Sequence, residues 1–177
     1  MKLGNFIEKC SDKNNDNLFE TLLGINKYKE FIPSVANVIG TDLSKYKVLY
    51  KNYFACNPMH VGRDKVLPIC LYEREEPSII SPAYLVFKIK NEEVLNPQFL
   101  MLWFRRKDLD HYLWFKTDSS VRGSIGWDDL CNIEFTPPSI EIQNKIVHQY
   151  SQITETIFPN EYDVPVDIII TEENNYN

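Results

Sequence analysis

The feature that most constrains this chain is the corner "FTPPSIEIQNKIV", Phe135 to Val147. A strand-like stretch, Ile133 to Phe135, runs into Pro137 and Pro138. Both prolines fix φ and lack a backbone N–H, so no central strand continues through them. Ser139 suits an N-cap, and Glu141 sets a negative charge at the positive end of a helix dipole. Ile142, Ile146, Tyr150, Ile153 and Ile157 then recur at spacings of 4, 4, 3 and 4, which is one stripe of a helix. Such a stripe belongs either to a terminal helix packed on its own domain or to the first turns of one that packs on another chain or repeat.

Size and composition set the class around that corner. With 177 residues, 44% of them hydrophobic and 13% aromatic, one domain with a real core is expected. No apolar run approaches the length of a membrane span, and the first residues lack a signal-peptide pattern, so a cytoplasmic protein is expected. Cys10, Cys56, Cys70 and Cys131 are scattered, without a C-x-x-C pair, and are expected as reduced thiols. Cys56 and His60 sit four apart but lack companions at metal-ligand spacing, so no metal is expected.

Charge argues in two directions. A net charge of −6 speaks against a general nucleic-acid binder. From Phe158 onward, however, the chain carries Glu161, Asp163, Asp167, Glu172 and Glu173 and no Lys or Arg. Setting these five acids aside brings the rest from −6 to −1. Within that body, basic residues cluster at Lys45/Lys47/Lys51, Arg63/Lys65, Arg105/Arg106/Lys107 and Lys116/Arg122. They suit either a solvated surface or a local positive face.

The rest reads as mixed α and β. Leu18–Ile25, Tyr46–Cys56, Leu67–Tyr72 and Ala83–Ile89 are predicted strands, Tyr46–Cys56 as a pair or one bent strand. Val35–Lys45 is predicted as a loop or helical turn. Asn96-Pro97 opens a helical region running to Lys116, as two helices or one bent one, with Phe99, Leu102, Trp103, Arg106, Leu109, Tyr112 and Leu113 at helical spacing. Two polar loops interrupt this framework, "NPMHVGRDK" (Asn57–Lys65) and "TDSSVRGSIG" (Thr117–Gly126). Each joins glycine to hydrogen-bond donors. Arginine reads guanine through two parallel bonds, asparagine reads adenine, and hydroxyls reach phosphates. Any surface loop is polar, so the loops by themselves leave DNA contact open.

Signatures of catalysis are missing. "NPMH" at Asn57–His60 has the outline of an amino-methyltransferase motif without the aromatic that stacks on a flipped base. There is no glycine-rich turn for S-adenosylmethionine, no nucleophile elbow and no phosphate loop. Asp128 and Asp129 precede Leu130 in a short turn, where acids cap helices. No catalytic residue and no cofactor are expected.

Taken in order, three stretches resemble a target recognition domain of the DNA specificity subunit of type I restriction–modification systems. "GINKYKEFIPSVANVIGTDLSKYKVL" is similar to the family's amino-terminal region. "KNYFACNPMHVGRDKVLPICLYEREEPSIISPAYLVFKI" resembles its central block, with Asn57-Pro58-Met59 and Ser81-Pro82-Ala83-Tyr84 the most distinctive pieces. "SSVRGSIGWDDLCNIEFTPPSIEIQNKIV" resembles its closing signature. The likeness covers about residues 18–157.

The resemblance implies an α+β fold, a mixed, twisted sheet with packed helices followed by a spacer helix. It implies a recognition domain at 1–138, the start of a coiled-coil spacer at 139–158 and an acidic tail at 159–177. DNA contact falls to Asn57, Met59, His60, Arg63, Lys65, Ser119, Ser120, Arg122 and Ser124, and assembly to Ile142, Ile146, Tyr150, Ile153 and Ile157. Double-stranded DNA, methyltransferase (modification) subunits, a restriction subunit and a second copy of the chain are the implied partners. The family's full subunit carries two reading domains, and this chain has room for one. Two rival readings stand beside it: a protein-interaction domain that uses the aromatic-rich 99–115 region, and a stand-alone methyltransferase or nuclease.

Overall fold

Backbone pairing divides the described strands between two sheets. The computed structural model describes residues 1–34, 40–117 and 123–156. One sheet holds β1 (Ile7–Lys9), β5 (Phe54–Cys56), β6 (Ile69–Leu71) and β8 (Leu85–Ile89), in the order β1-β8-β5-β6 with every neighbour antiparallel. The other holds β2 (Leu22–Ile25), β3 (Phe31–Pro33), β4 (Lys47–Leu49) and β7 (Ser78–Ile80), in the order β3-β2-β7-β4. Its β2–β7 pair is parallel and the others antiparallel. The expected α+β class holds, with the strands divided between two sheets.

The first sheet is covered on both faces. On one face Phe54, Cys56, Ile69, Leu71, Phe87 and Ile89 join Leu100, Met101, Phe104, Leu109, Leu113 and Leu130 from the helices in the larger core. On the other, Ala55 and Val86 meet Leu23, Ile25, Leu49 and Ile80 of the second sheet. Register pairs Phe54 with Phe87, whose rings stack at 5.1 Å and 3°. Neither ring has solvent exposure, and burying such a side chain contributes about 1.5–3 kcal/mol.

Several sequence expectations are narrowed. Only Leu22–Ile25 of the Leu18–Ile25 segment is a strand; Leu18 is exposed, and the Asn14 side chain holds both backbone groups of Phe19 in a loop. Tyr46–Cys56 is two strands in different sheets, separated by a tight turn in which Asn52 takes φ +66°. Leu43–Lys45 of the Val35–Lys45 segment forms a short 3-10 helix, and residues 35–39 lie outside the described ones. Ile133–Phe135 is no strand of its own: Glu134 makes a single antiparallel bridge with Lys2.

Helix α1 (Val61–Asp64) is one turn. Helices α2 (Pro97–Phe104) and α3 (Lys107–Phe115) are separate, because Arg106 between them is extended at ψ 129°. Asn96 caps α2 by accepting from Phe99 N at 3.1 Å, with Pro97 in the first turn where a missing N–H costs nothing. Helix α4 (Trp127–Cys131) is short, and α5 (Ile140–Thr156) follows the proline corner. The Ser139 carbonyl accepts from Gln143 N at 3.0 Å, which makes Ser139 the N-cap residue.

Gln143 clamps α5 to the body. It has no solvent exposure; its Nε2 donates to Val94 O at 3.0 Å and Pro138 O at 2.8 Å, and its Oε1 accepts from Asn96 N at 2.9 Å. Asn96 Nδ2 also donates to Asn144 Oδ1 at 2.8 Å, and Arg105 Nη1 to Tyr150 Oη at 3.2 Å. No described helix is long and apolar enough to cross a membrane.

Candidate nucleic-acid interface

The two polar loops, some 60 positions apart in the sequence, are joined through their backbones. Gly62 N donates to Gly123 O at 2.9 Å, and Ile125 N donates to Pro58 O at 3.1 Å. Gly123 has φ +50°, and a Cβ built there would lie 2.7 Å from Gly62 Cα, so only glycine permits this approach. Ile125, 2% exposed, anchors the second loop in the larger core, while Val61 anchors the first.

Local chemistry shapes the first loop. Asn57 is 8% exposed, and its side chain accepts from Met59 N at 3.2 Å, capping the 3-10 helix Pro58–His60 that leads into α1. Its Oδ1 therefore serves the loop's own geometry. Met59 is partly exposed. Lys65 closes α1 in a left-handed conformation, φ +55°, with its N–H on Val61 O at 2.9 Å, a position that usually takes glycine. The turn aims its ammonium over the Trp114 ring, 4.8 Å from the centroid.

Arg63 is exposed. Its Nε and Nη2 donate to the two carboxylate oxygens of Asp64 at 2.7 and 2.9 Å, and the neighbouring carboxylate holds the guanidinium pKa above its ordinary value. That pairing occupies the Nε/Nη2 edge of the planar fork, a two-donor edge of the kind that matches a guanine or a phosphate. In the second loop Ser124 is half-buried, and Gly126 N donates to Asp129 Oδ2 at 2.9 Å, so Asp129 caps α4 as expected for an acid there. Ser119, Ser120 and Arg122 lie outside the described residues, as does Ile157 of the assembly stripe.

A buried ion pair under the site escaped the sequence reading. Lys29, 5% exposed, takes φ +64° in the β2–β3 turn and donates to both oxygens of Asp110 at 2.9 and 2.8 Å and to Phe104 O. Asp110 Oδ1 also accepts from Leu67 N at 3.1 Å, two residues after Lys65. Burial pulls the Lys29 pKa down, and Asp110 opposes that pull. The pair rivets the hairpin, α3 and the end of the first loop to one another. One turn beyond Asp110, α3 presents Trp114 to Lys65; Tyr112 and Phe115 of the same helix are exposed as well.

The assembly stripe divides. Ile142 is 48% and Ile153 43% exposed, whereas Ile146 and Tyr150 are half-buried on the side of the helix that meets the body. The cysteines have no part in either surface. Desolvation raises all four thiol pKa values, Cys70 to about 11 and Cys56 to about 12.

No family model matches the sequence, and no curated protein matches it either. Solved structures do match the fold. A chain from a structure addressing complex assembly and conformational transition of the type I R-M system aligns with TM-score 0.55 and 14% identity, over 88% of this chain and 38% of that one. The crystal structure of the HsdS subunit from Thermoanaerobacter tengcongensis aligns with TM-score 0.49 and 14% identity, over 88% of this chain and 37% of that one. This chain thus spans less than two-fifths of each of these two solved chains. Its fold is the one found in the type I R-M system, the fold that the motif resemblance implied.

Proposed function

We propose that the chain is a non-catalytic DNA-recognition domain of a type I restriction–modification specificity subunit. It reads one half of a split DNA sequence and directs partner methyltransferase and restriction subunits in the cytoplasm. The observation that carries this reading is the backbone seam Gly62–Gly123 and Pro58–Ile125, which ties the first donor-bearing loop to the described end of the second on a fold of the type I R-M system. In this reading Arg63, Lys65, Met59, His60 and Ser124 contact DNA together with Ser119, Ser120 and Arg122. Asn57 contributes by shaping the loop. The stripe of α5 serves assembly, through Ile142 and Ile153 first because they face solvent.

The test is methylome sequencing of cells that express the chain with its cognate modification subunits. A split methylated sequence is expected, and Arg63→Ala should relax one position of it or weaken methylation about 5–150-fold. Unaltered methylation in Arg63→Ala would remove that loop from the reading surface. A duplex mobility shift that weakens steeply with salt separates this reading from a protein-interaction domain.

A further inference from the structure

The most exposed large apolar side chain among the described residues is Phe115, at 83%, on the last turn of α3. Single exposed apolar residues are ordinary, but Phe115 has Trp114 at 41% and Tyr112 at 43% beside it. Tyr112 and Trp114 lie on either side of Phe115 around the helix, and each carries a lysine. Lys65 lies 4.8 Å over Trp114, and Lys116 lies 5.6 Å over Tyr112. The strip also abuts the loop seam. Thr117 hydroxyl donates to Trp114 O at 2.8 Å, and its Oγ1 would sit 3.2 Å from a Cβ on Gly123.

We propose that the C-terminal turn of α3 is a third DNA-contacting element, with Phe115 the wedge that packs against base faces and Lys65 and Lys116 the flanking phosphate contacts. The inference rests on the DNA-recognition reading and adds a residue class that the polar loops lack. A phenyl ring makes no hydrogen bond, so it gains by binding only where an apolar or π surface covers it. Stacked bases offer that surface at a groove, and an inserted ring commonly unstacks a step there. The lysines select the partner. An apolar protein groove would have to desolvate two ammonium groups beside the rings, whereas duplex DNA presents a phosphate to each. The acids beside these residues are already paired, Asp108, one turn before Tyr112 on α3, with Arg106, and Asp64 of the first loop with Arg63.

Binding of a labelled, mixed-sequence duplex by the chain with its modification subunits, followed by anisotropy, tests this. Phe115→Ala should weaken binding roughly 5–100-fold without changing the thermal midpoint, as the ring is exposed. Phe115→Tyr keeps the ring and should restore affinity, a rescue that a merely structural role would not require. If Phe115→Ala binds as tightly as the unaltered chain while Arg63→Ala binds weakly, the wedge is wrong and the DNA reading stands. If the unaltered complex shows no salt-sensitive binding, that reading fails and takes the wedge with it. Normal DNA binding by Phe115→Ala, with loss of the modification subunits in gel filtration, would make the strip a protein interface and overturn the proposal.

Discussion

Gly123 shows how one residue sets the surface on which everything else depends. Its φ of +50° costs an L-residue about 1–2 kcal/mol before any contact is counted. The neighbour that an added Cβ would meet, Gly62 Cα at 2.7 Å, is backbone and cannot swing aside. Gly123→Ala is therefore expected to lower unfolding free energy by about 1–2 kcal/mol or to part the two loops. Urea denaturation measures the first outcome, and loss of duplex binding with unchanged stability marks the second. A variant with both properties intact would show that the seam is dispensable. The glycines of both loops stood out in the sequence, but their contact did not. Nothing local in "MHVGRDK" or "SSVRGSIG" says that Gly62 and Gly123 meet, since the meeting depends on where β5, β6 and α4 leave the loop ends.

At the scale of elements, what was legible follows from period. The apolar run within Ala83–Ile89 and the spacing of Ile142, Ile146, Tyr150 and Ile153 are local patterns, and they yield the strand Leu85–Ile89 and the helix α5. Three-residue strands such as Ser78–Ile80 are too short to show a period. The Lys29–Asp110 pair was illegible for another reason. Its partners are 81 positions apart, and both residue types normally sit at the surface. Likewise "HYLWFK" in α3 fits a core helix as well as an exposed strip until burial is known. The pair itself gives a sharp expectation. Lys29→Met leaves a buried carboxylate and Asp110→Leu a buried ammonium, so each alone should cost about 3–5 kcal/mol. The double variant should recover part of that loss, although Phe104 O and Leu67 N still lose a partner each. A double-mutant cycle by urea denaturation measures the coupling. Additive losses would mean that the hairpin is held by packing alone.

For the whole molecule, the question raised by the proline corner is what α5 is for. Half of the answer is internal: Gln143, Asn144 and Tyr150 fasten the helix to Val94, Asn96 and Arg105, so its first turns belong to the body. The proposed assembly role concerns the outward edge, where Ile142 and Ile153 stand exposed about three turns apart. A domain that reads half of a split site needs a second reader, and two-fold pairing along this edge would present both readers symmetrically. So short a seam holds weakly by itself and gains from any partner that binds only the assembled form. The isolated chain is thus expected as a monomer or a weak, concentration-dependent dimer. Ile142→Asp with Ile153→Asp should abolish assembly with the modification subunits and shift unfolding free energy by no more than about 0.5 kcal/mol, as befits exposed positions. Ile146→Asp should cost stability as well, because its side chain is half-buried. Sedimentation velocity, beside a thermal melt of each variant, separates the two effects. Normal assembly by the first double variant would mean that α5 ends its work at the body, and that the second reader is held by another surface.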